Sequence, residues 1–151
     1  MSAELRELYQ SVILDHNKQP RNFREPACAN CSAAGVNPLC GDKVTVYLEV
    51  NDDVIDDVGF QGSGCAISTA SASLMTQAIK GRPVEEAERL FEGFHSMVTS
   101  NPNEEPEVSE LGKLSVFAGV REFPMRVKCA TLAWHAMREA IHHSGKTATT
   151  E

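Results

Sequence analysis

Leu5, Leu8, Tyr9, Val12, Ile13 and His16 recur at helical spacing, which predicts an amphipathic helix over 3–16 with Ser2 placed to cap it. The period then changes. Over 43–50, Val44, Val46, Leu48 and Val50 alternate with Thr45, Tyr47 and Glu49, the mark of a strand with one buried face. Asn51-Asp52-Asp53 is turn chemistry, and Val54, Val58 and Phe60 resume the alternation, so the two strands form a hairpin. Cys31 to Val36 is a third candidate strand. Gly59, Gly62 and Gly64 interrupt the pattern before Cys65, after which Ile67, Ala70, Leu74 and Ala78 share one helical face up to Ile79. Gly81 and Pro83 punctuate the passage to another helix, with acidic residues in its first turn and Ala87, Leu90, Phe91 and Phe94 on its apolar side. Residues 99–109 have little to bury and read as a mobile acidic loop. A last helix is predicted from Pro124 to about Ile141, burying Val127, Ala130, Ala133, Trp134, Met137 and Ala140. A helix, strands joined by short turns, then helices make an α+β fold with an antiparallel sheet, and not a βαβ dinucleotide fold. The glycine-rich run 59–64 has neither dinucleotide spacing nor a P-loop lysine. One domain is expected over 1–143, with 144–151 a frayed tail.

Length and charge narrow the function. The 151 residues suit one core, and the formal net charge of −7 argues against a nucleic-acid partner. The opening residues mix Glu4, Arg6 and Glu7 among apolar positions, so no secretory signal is read there, and no apolar run approaches the roughly 20 residues that span a bilayer. The expected location is the cytoplasm, without membrane contact. Five cysteines, an odd number, are expected there as thiols and not as a disulfide framework.

Three of those thiols stand at element boundaries beside glycine or polar residues: Cys40, Cys65 and Cys129. Asp42 follows Cys40 by two residues, so both side chains would leave a strand start on the same side. Three thiolates and a carboxylate form a donor set that zinc accepts. A helix start at Cys65 would favour its thiolate, and Arg126 or Lys128 could offset the site's negative charge. The alternative is that these are small core residues. Cys28-Ala29-Asn30-Cys31 is a CxxC without a second pair or a thioredoxin context, and reads as a loop. Of the histidines, His16 reads as a half-buried side chain of the first helix, and His142-His143 as solvated.

Several segments together resemble the IscU/NifU-like family of iron–sulfur assembly proteins. They are Leu8-Tyr9, Asp15-His16, Pro20-Arg21-Asn22, Asn37-Pro38-Leu39-Cys40-Gly41-Asp42, Gly62 to Ser68, Ser71 to Met75, and Arg126 to Leu132. The resemblance spans most of residues 5–141 and implies a three-stranded antiparallel sheet packed with helices, the three cysteines clustered at one end. Two features are similar to the SufU branch: Lys128 precedes Cys129 where IscU scaffolds carry a histidine ligand, and the stretch from Phe94 to Pro124 is long. The SufU resemblance implies a zinc-dependent sulfurtransferase. Cys40, Asp42, Cys65 and Cys129 would then ligate zinc. Cys40 would accept persulfide sulfur from a pyridoxal-phosphate cysteine desulfurase and pass it toward a separate cluster scaffold, and Arg126 would assist the transfer. The alternative is an IscU-like scaffold that holds an iron–sulfur cluster on the same residues.

Overall fold

The computed structural model of the chain describes residues 3–142 and 147–149. Ser2, His143 and most of the expected tail lie outside the described residues. Helix α1 spans Ala3–Lys18, followed by strands β1 (Cys31–Asn37), β2 (Asp42–Asn51) and β3 (Val54–Ser63). Helices α2 (Ala66–Ile79) and α3 (Val84–Thr99), a 3-10 helix (Gly112–Glu122) and helix α4 (Pro124–His142) complete the main body.

The three expected strands form one antiparallel sheet with β2 in the centre. Val44, Val46 and Leu48 are buried, as their alternation requires. A register shift at Glu49/Val50 ends that alternation and leaves Val50 only half-buried. Thr147–Thr149, within the stretch expected to fray, instead forms a short strand β4 that pairs in parallel with Ala34–Val36 of β1.

Helix α4 lies across β1 and β2, and the helices meet around its one tryptophan. Trp134 stacks on Phe94 at 4.7 Å, Phe94 meets Phe117 edge-on at 5.7 Å, and the Trp134 indole N–H donates to Ser71 Oγ at 3.2 Å. Burying the indole with its N–H paired removes the desolvation penalty of an orphaned donor.

Two segments outside the expected helices and strands have definite structure. The first is the 3-10 helix. Leu111, Leu114, Phe117 and Val120 recur every third residue and all four are buried. A helix with three residues per turn stacks such positions on one face, whereas an α-helix would splay them. The second is the acidic stretch after α3. It is exposed, but Arg121 donates to Ser100 Oγ and to the carbonyls of Asn101 and Glu104, which tethers its first half.

Helix α1 docks on α2 through one hydroxyl. Ser73 Oγ accepts the Arg21 N–H at 2.8 Å and lies 2.7 Å from His16 Nδ1. One hydroxyl thus bridges the chain after α1 and the imidazole of α1. His16 is 3% exposed, more deeply buried than its sequence position implies. Among the described residues, no helix is long and apolar enough to cross a membrane.

Candidate metal centre

The last register pair of β1 and β2 joins Asn37 to Asp42, so Pro38 to Gly41 form the turn between the strands. Asn37 builds that turn. Its carbonyl accepts the Gly41 N–H at 2.9 Å and its side-chain Oδ1 accepts the Leu39 N–H at 3.2 Å. Asparagine before a turn mimics a backbone turn with its own side chain. Gly41 has φ +74°, a left-handed conformation that glycine adopts without a Cβ penalty. Cys40 therefore sits in the turn, not on the strand, and is exposed at its tip. The reversal at Gly41 still brings Cys40 and Asp42 to the same place.

Asp42 is 2% exposed. Its Oδ1 accepts the Cys65 N–H at 2.9 Å, and its Oδ2 lies 3.6 Å from Cys65 Sγ. Gly64 makes this approach feasible, because a Cβ there would stand 2.9 Å from Asp42 Oδ1. Cys65 is the N-cap of α2, its sulfur accepting the Ser68 N–H at 3.4 Å. The capping position puts this sulfur at the positive end of the α2 dipole. Cys129, buried in α4, places its Sγ 3.6 Å from Cys40 Sγ. One donor atom each from Cys40, Asp42 and Cys129 fall within 4.8 Å of one another.

These separations can be compared with what an ion would impose. Zinc–sulfur bonds of about 2.3 Å and zinc–oxygen bonds of about 2.0 Å at tetrahedral angles put sulfurs about 3.8 Å apart and sulfur and oxygen about 3.5 Å apart. The Cys40–Cys129 sulfur pair and the Cys65 sulfur–Asp42 oxygen pair, both at 3.6 Å, match. The electrostatics point the same way. Asp42 is a buried carboxylate with no cationic side chain paired to it among the described residues. A carboxylate so placed calls for a counter-charge. The Cys129 thiol is pushed far above the ordinary thiol range by burial, then by hydrogen bonding with Asp42, Cys65 and Cys40. A divalent cation at the centre would reverse that tendency and deprotonate the thiols. The donor set thus fits zinc.

The other expected residues lie around this centre. Arg126 is exposed one turn before Cys129 and stacks over the Phe123 ring, 4.4 Å from its centroid. Lys128 is half-buried. Neither ion-pairs with Asp42, so the charge compensation expected of them is not made by direct contact. Cys28 and Cys31 are apart from the centre: Cys31 begins β1, six residues from Asn37, or about 20 Å along a strand. His95 and His135 form an edge-on pair between α3 and α4, and His142 pairs with Glu88. Sequence reasoning missed the structural roles of Asn37 and Gly64. An Asn-Pro turn and a glycine preceding a capping cysteine are the signals that could have found them.

The centre can be set beside known proteins. The model of the NifU-like N terminal domain matches residues 8–130. The iron–sulfur cluster assembly scaffold protein IscU of Streptococcus pyogenes serotype M1 is 42% identical over 142 residues, covering 94% of this chain and 87% of that protein. The zinc-dependent sulfurtransferase SufU of Bacillus subtilis is 38% identical over 143 residues, covering 93% of each. Among solved structures, a SufU from Fervidobacterium islandicum, described as a scaffold for the SUF system, superimposes with a TM-score of 0.81 at 34% identity. That match covers 89% of this chain and 97% of the other.

Proposed function

This chain belongs to the NifU-like N-terminal domain family of iron–sulfur cluster assembly proteins, and from that premise we propose that it is a zinc-dependent sulfurtransferase with Cys40 as its sulfur acceptor. The observation that carries the reading is that Cys40 Sγ lies 3.6 Å from Cys129 Sγ and Cys65 Sγ lies 3.6 Å from the buried Asp42 carboxylate, with Cys40 on an exposed turn beside a left-handed glycine. Cys40, Asp42, Cys65 and Cys129 would hold zinc, which would keep the thiols deprotonated while damping their nucleophilicity.

The protein's own residues divide the remaining work. Asp42 is held by the Cys65 N–H, and Cys65 and Cys129 are built into α2 and α4, so these three are anchors. Cys40 stands on the exposed turn and would reach a partner from there. The donor of sulfur would be the persulfide of a pyridoxal-phosphate cysteine desulfurase: the Cys40 thiolate attacks its outer sulfur, and the desulfurase thiolate leaves. Arg126, exposed one turn before Cys129, would stabilise the anionic sulfur during transfer, and a downstream cluster scaffold would receive it. Lys128 supports the carrier reading, because an ammonium next to Cys129 cannot ligate a metal while charged.

The test is Cys40→Ala, mixed with a desulfurase and cysteine. The native chain should gain the mass of one sulfur on the Cys40 peptide and stimulate the desulfurase, and the variant should do neither. Full stimulation by the variant would sink the proposal. The similarity to proteins named IscU favours a second reading, a scaffold that carries an iron–sulfur cluster on the same donors. Protein purified without oxygen separates the two: about one zinc per chain and no colour for the carrier, iron, sulfide and a brown solution for the scaffold.

A further inference from the structure

Beside the cysteine centre, α1 and the 3-10 helix enclose a cleft of about 360 Å³, within the range that small-molecule sites occupy. Its walls include Tyr9, Ile13, Val116 and Phe123, and three guanidinium groups line it: Arg6, Arg121 and Arg126. Arg121 is committed to the acidic stretch through its hydrogen bonds there. Arg6 and Arg126 are different. Among the described residues neither has a hydrogen-bond acceptor or an acidic partner, and Arg126 keeps its N–H groups free while stacked on Phe123. One carboxylate, Glu122, also lines the cleft, so the local balance of free groups is positive in a chain whose net charge is −7. Guanidinium groups recognise carboxylates through paired N–H donors.

The position of the cleft matters as much as its charge. Ile67, two residues after Cys65, forms part of its wall. Arg126 stands three residues before Cys129 on α4, and side chains so spaced on a helix are neighbours, about 5–6 Å apart at Cβ. A ligand anchored by its carboxylates in the cleft therefore has its other end beside the sulfur centre.

We propose that the cleft between α1 and the 3-10 helix binds a small carboxylate-bearing thiol and presents it to Cys40 as an acceptor of sulfane sulfur. The inference rests on Cys40 being the sulfur acceptor. The step is an exchange. The ligand's thiolate attacks the outer sulfur of the Cys40 persulfide, the bond from that sulfur to Cys40 Sγ breaks, and Cys40 leaves as a thiolate. The sulfane sulfur and its proton go to the ligand, so charge and atoms balance without an oxidant or reductant.

Binding is tested first with S-methylglutathione, which keeps the carboxylates and cannot exchange sulfur, titrated calorimetrically into the zinc-loaded protein. Saturable binding is expected. Arg6→Ala should weaken it about tenfold, the loss of one charge-assisted pairing, and Glu122→Gln should tighten it. Circular dichroism checks that each variant is folded. No binding, or equal affinity in both variants, overturns the proposal. The second arm loads Cys40 through a desulfurase and follows sulfur transfer to glutathione and to 2-mercaptoethanol. The rate should saturate with glutathione and stay linear with the neutral thiol. Linear dependence on both overturns the presenting role. If Cys40 never takes up sulfur, the acceptor reading itself fails, the presenting role falls with it, and the calorimetry still decides whether the cleft recognises carboxylates.

Discussion

Asp42 and Gly64 show how closely single residues set the candidate metal centre. The carboxylate is buried and oriented by one N–H, that of Cys65, and the missing side chain at Gly64 is what admits it. A methyl at position 64 would have to displace the Asp42 carboxyl, since the other nearby atoms, Asp42 Cγ at 3.1 Å and Ser68 Cβ at 3.3 Å, leave little room. Gly64→Ala should therefore lower zinc affinity by about 10- to 100-fold, the range seen when groups that orient a ligand are disturbed. Competition against a chromophoric chelator measures it, and an unchanged affinity would show that Asp42 does not ligate. The same sequence positions were visible beforehand, but the contact was not. Nothing in Gly62-Ser63-Gly64-Cys65 states that a carboxylate 22 residues earlier in the chain will rest on Gly64.

At the scale of elements, the docking of α1 onto α2 depends on an uncharged histidine. Burial pushes the His16 pKa below its ordinary value, the positive charges of Arg21 and Lys113 act in the same direction, and Asp15 opposes them. The folded state thus binds the proton less readily than the unfolded chain. Stability from this pair is complete above about pH 6.5 and is lost as the pH falls through the lower, folded value. His135, half-buried and lowered chiefly by burial, adds a loss of the same sign. Urea denaturation as a function of pH should show stability falling below about pH 6.5, and His16→Gln should flatten part of that fall. Ser73→Ala should cost about 1–3 kcal/mol at neutral pH, because it orphans the Arg21 N–H and removes the hydrogen-bond partner of His16 Nδ1. A cost near zero would mean that the α1–α2 contact is held elsewhere. The element that sequence reasoning missed is instructive here. The period-three pattern of Leu111, Leu114, Phe117 and Val120 was present in the chain, but it matches neither the 3.6 of an α-helix nor the 2.0 of a strand.

For the whole molecule, the centre ties together segments that are far apart in the chain. Its donors come from the β1–β2 turn, the start of β2, the N-terminus of α2 and the first turns of α4. An ion bound there and absent from the unfolded chain stabilises all of these contacts at once. Removing zinc with a chelator should lower the melting temperature of the native protein, and the Cys65→Ala and Cys129→Ala variants should show a smaller drop. An identical drop in the variants would locate the ion elsewhere. The Trp134, Phe94 and Phe117 cluster lies outside the centre and should hold the metal-free chain folded.

The sequence by itself determined most of the elements and the candidate donors. The strand alternation over 43–50, the helical faces before Ile79 and after Pro124, and the four candidate ligands could all be read directly, because local periodicity and residue chemistry are properties of short stretches. The antiparallel sheet followed from the short turns between strands. Only the tertiary structure decided that Cys40 sits on a turn and not a strand, that Asp42 is buried against Gly64, that Arg121 ties down the acidic stretch, and that α1 and the 3-10 helix leave a cleft beside the sulfurs. Each of these joins residues distant in the chain, and such distances are set by how the elements pack, which no local pattern encodes.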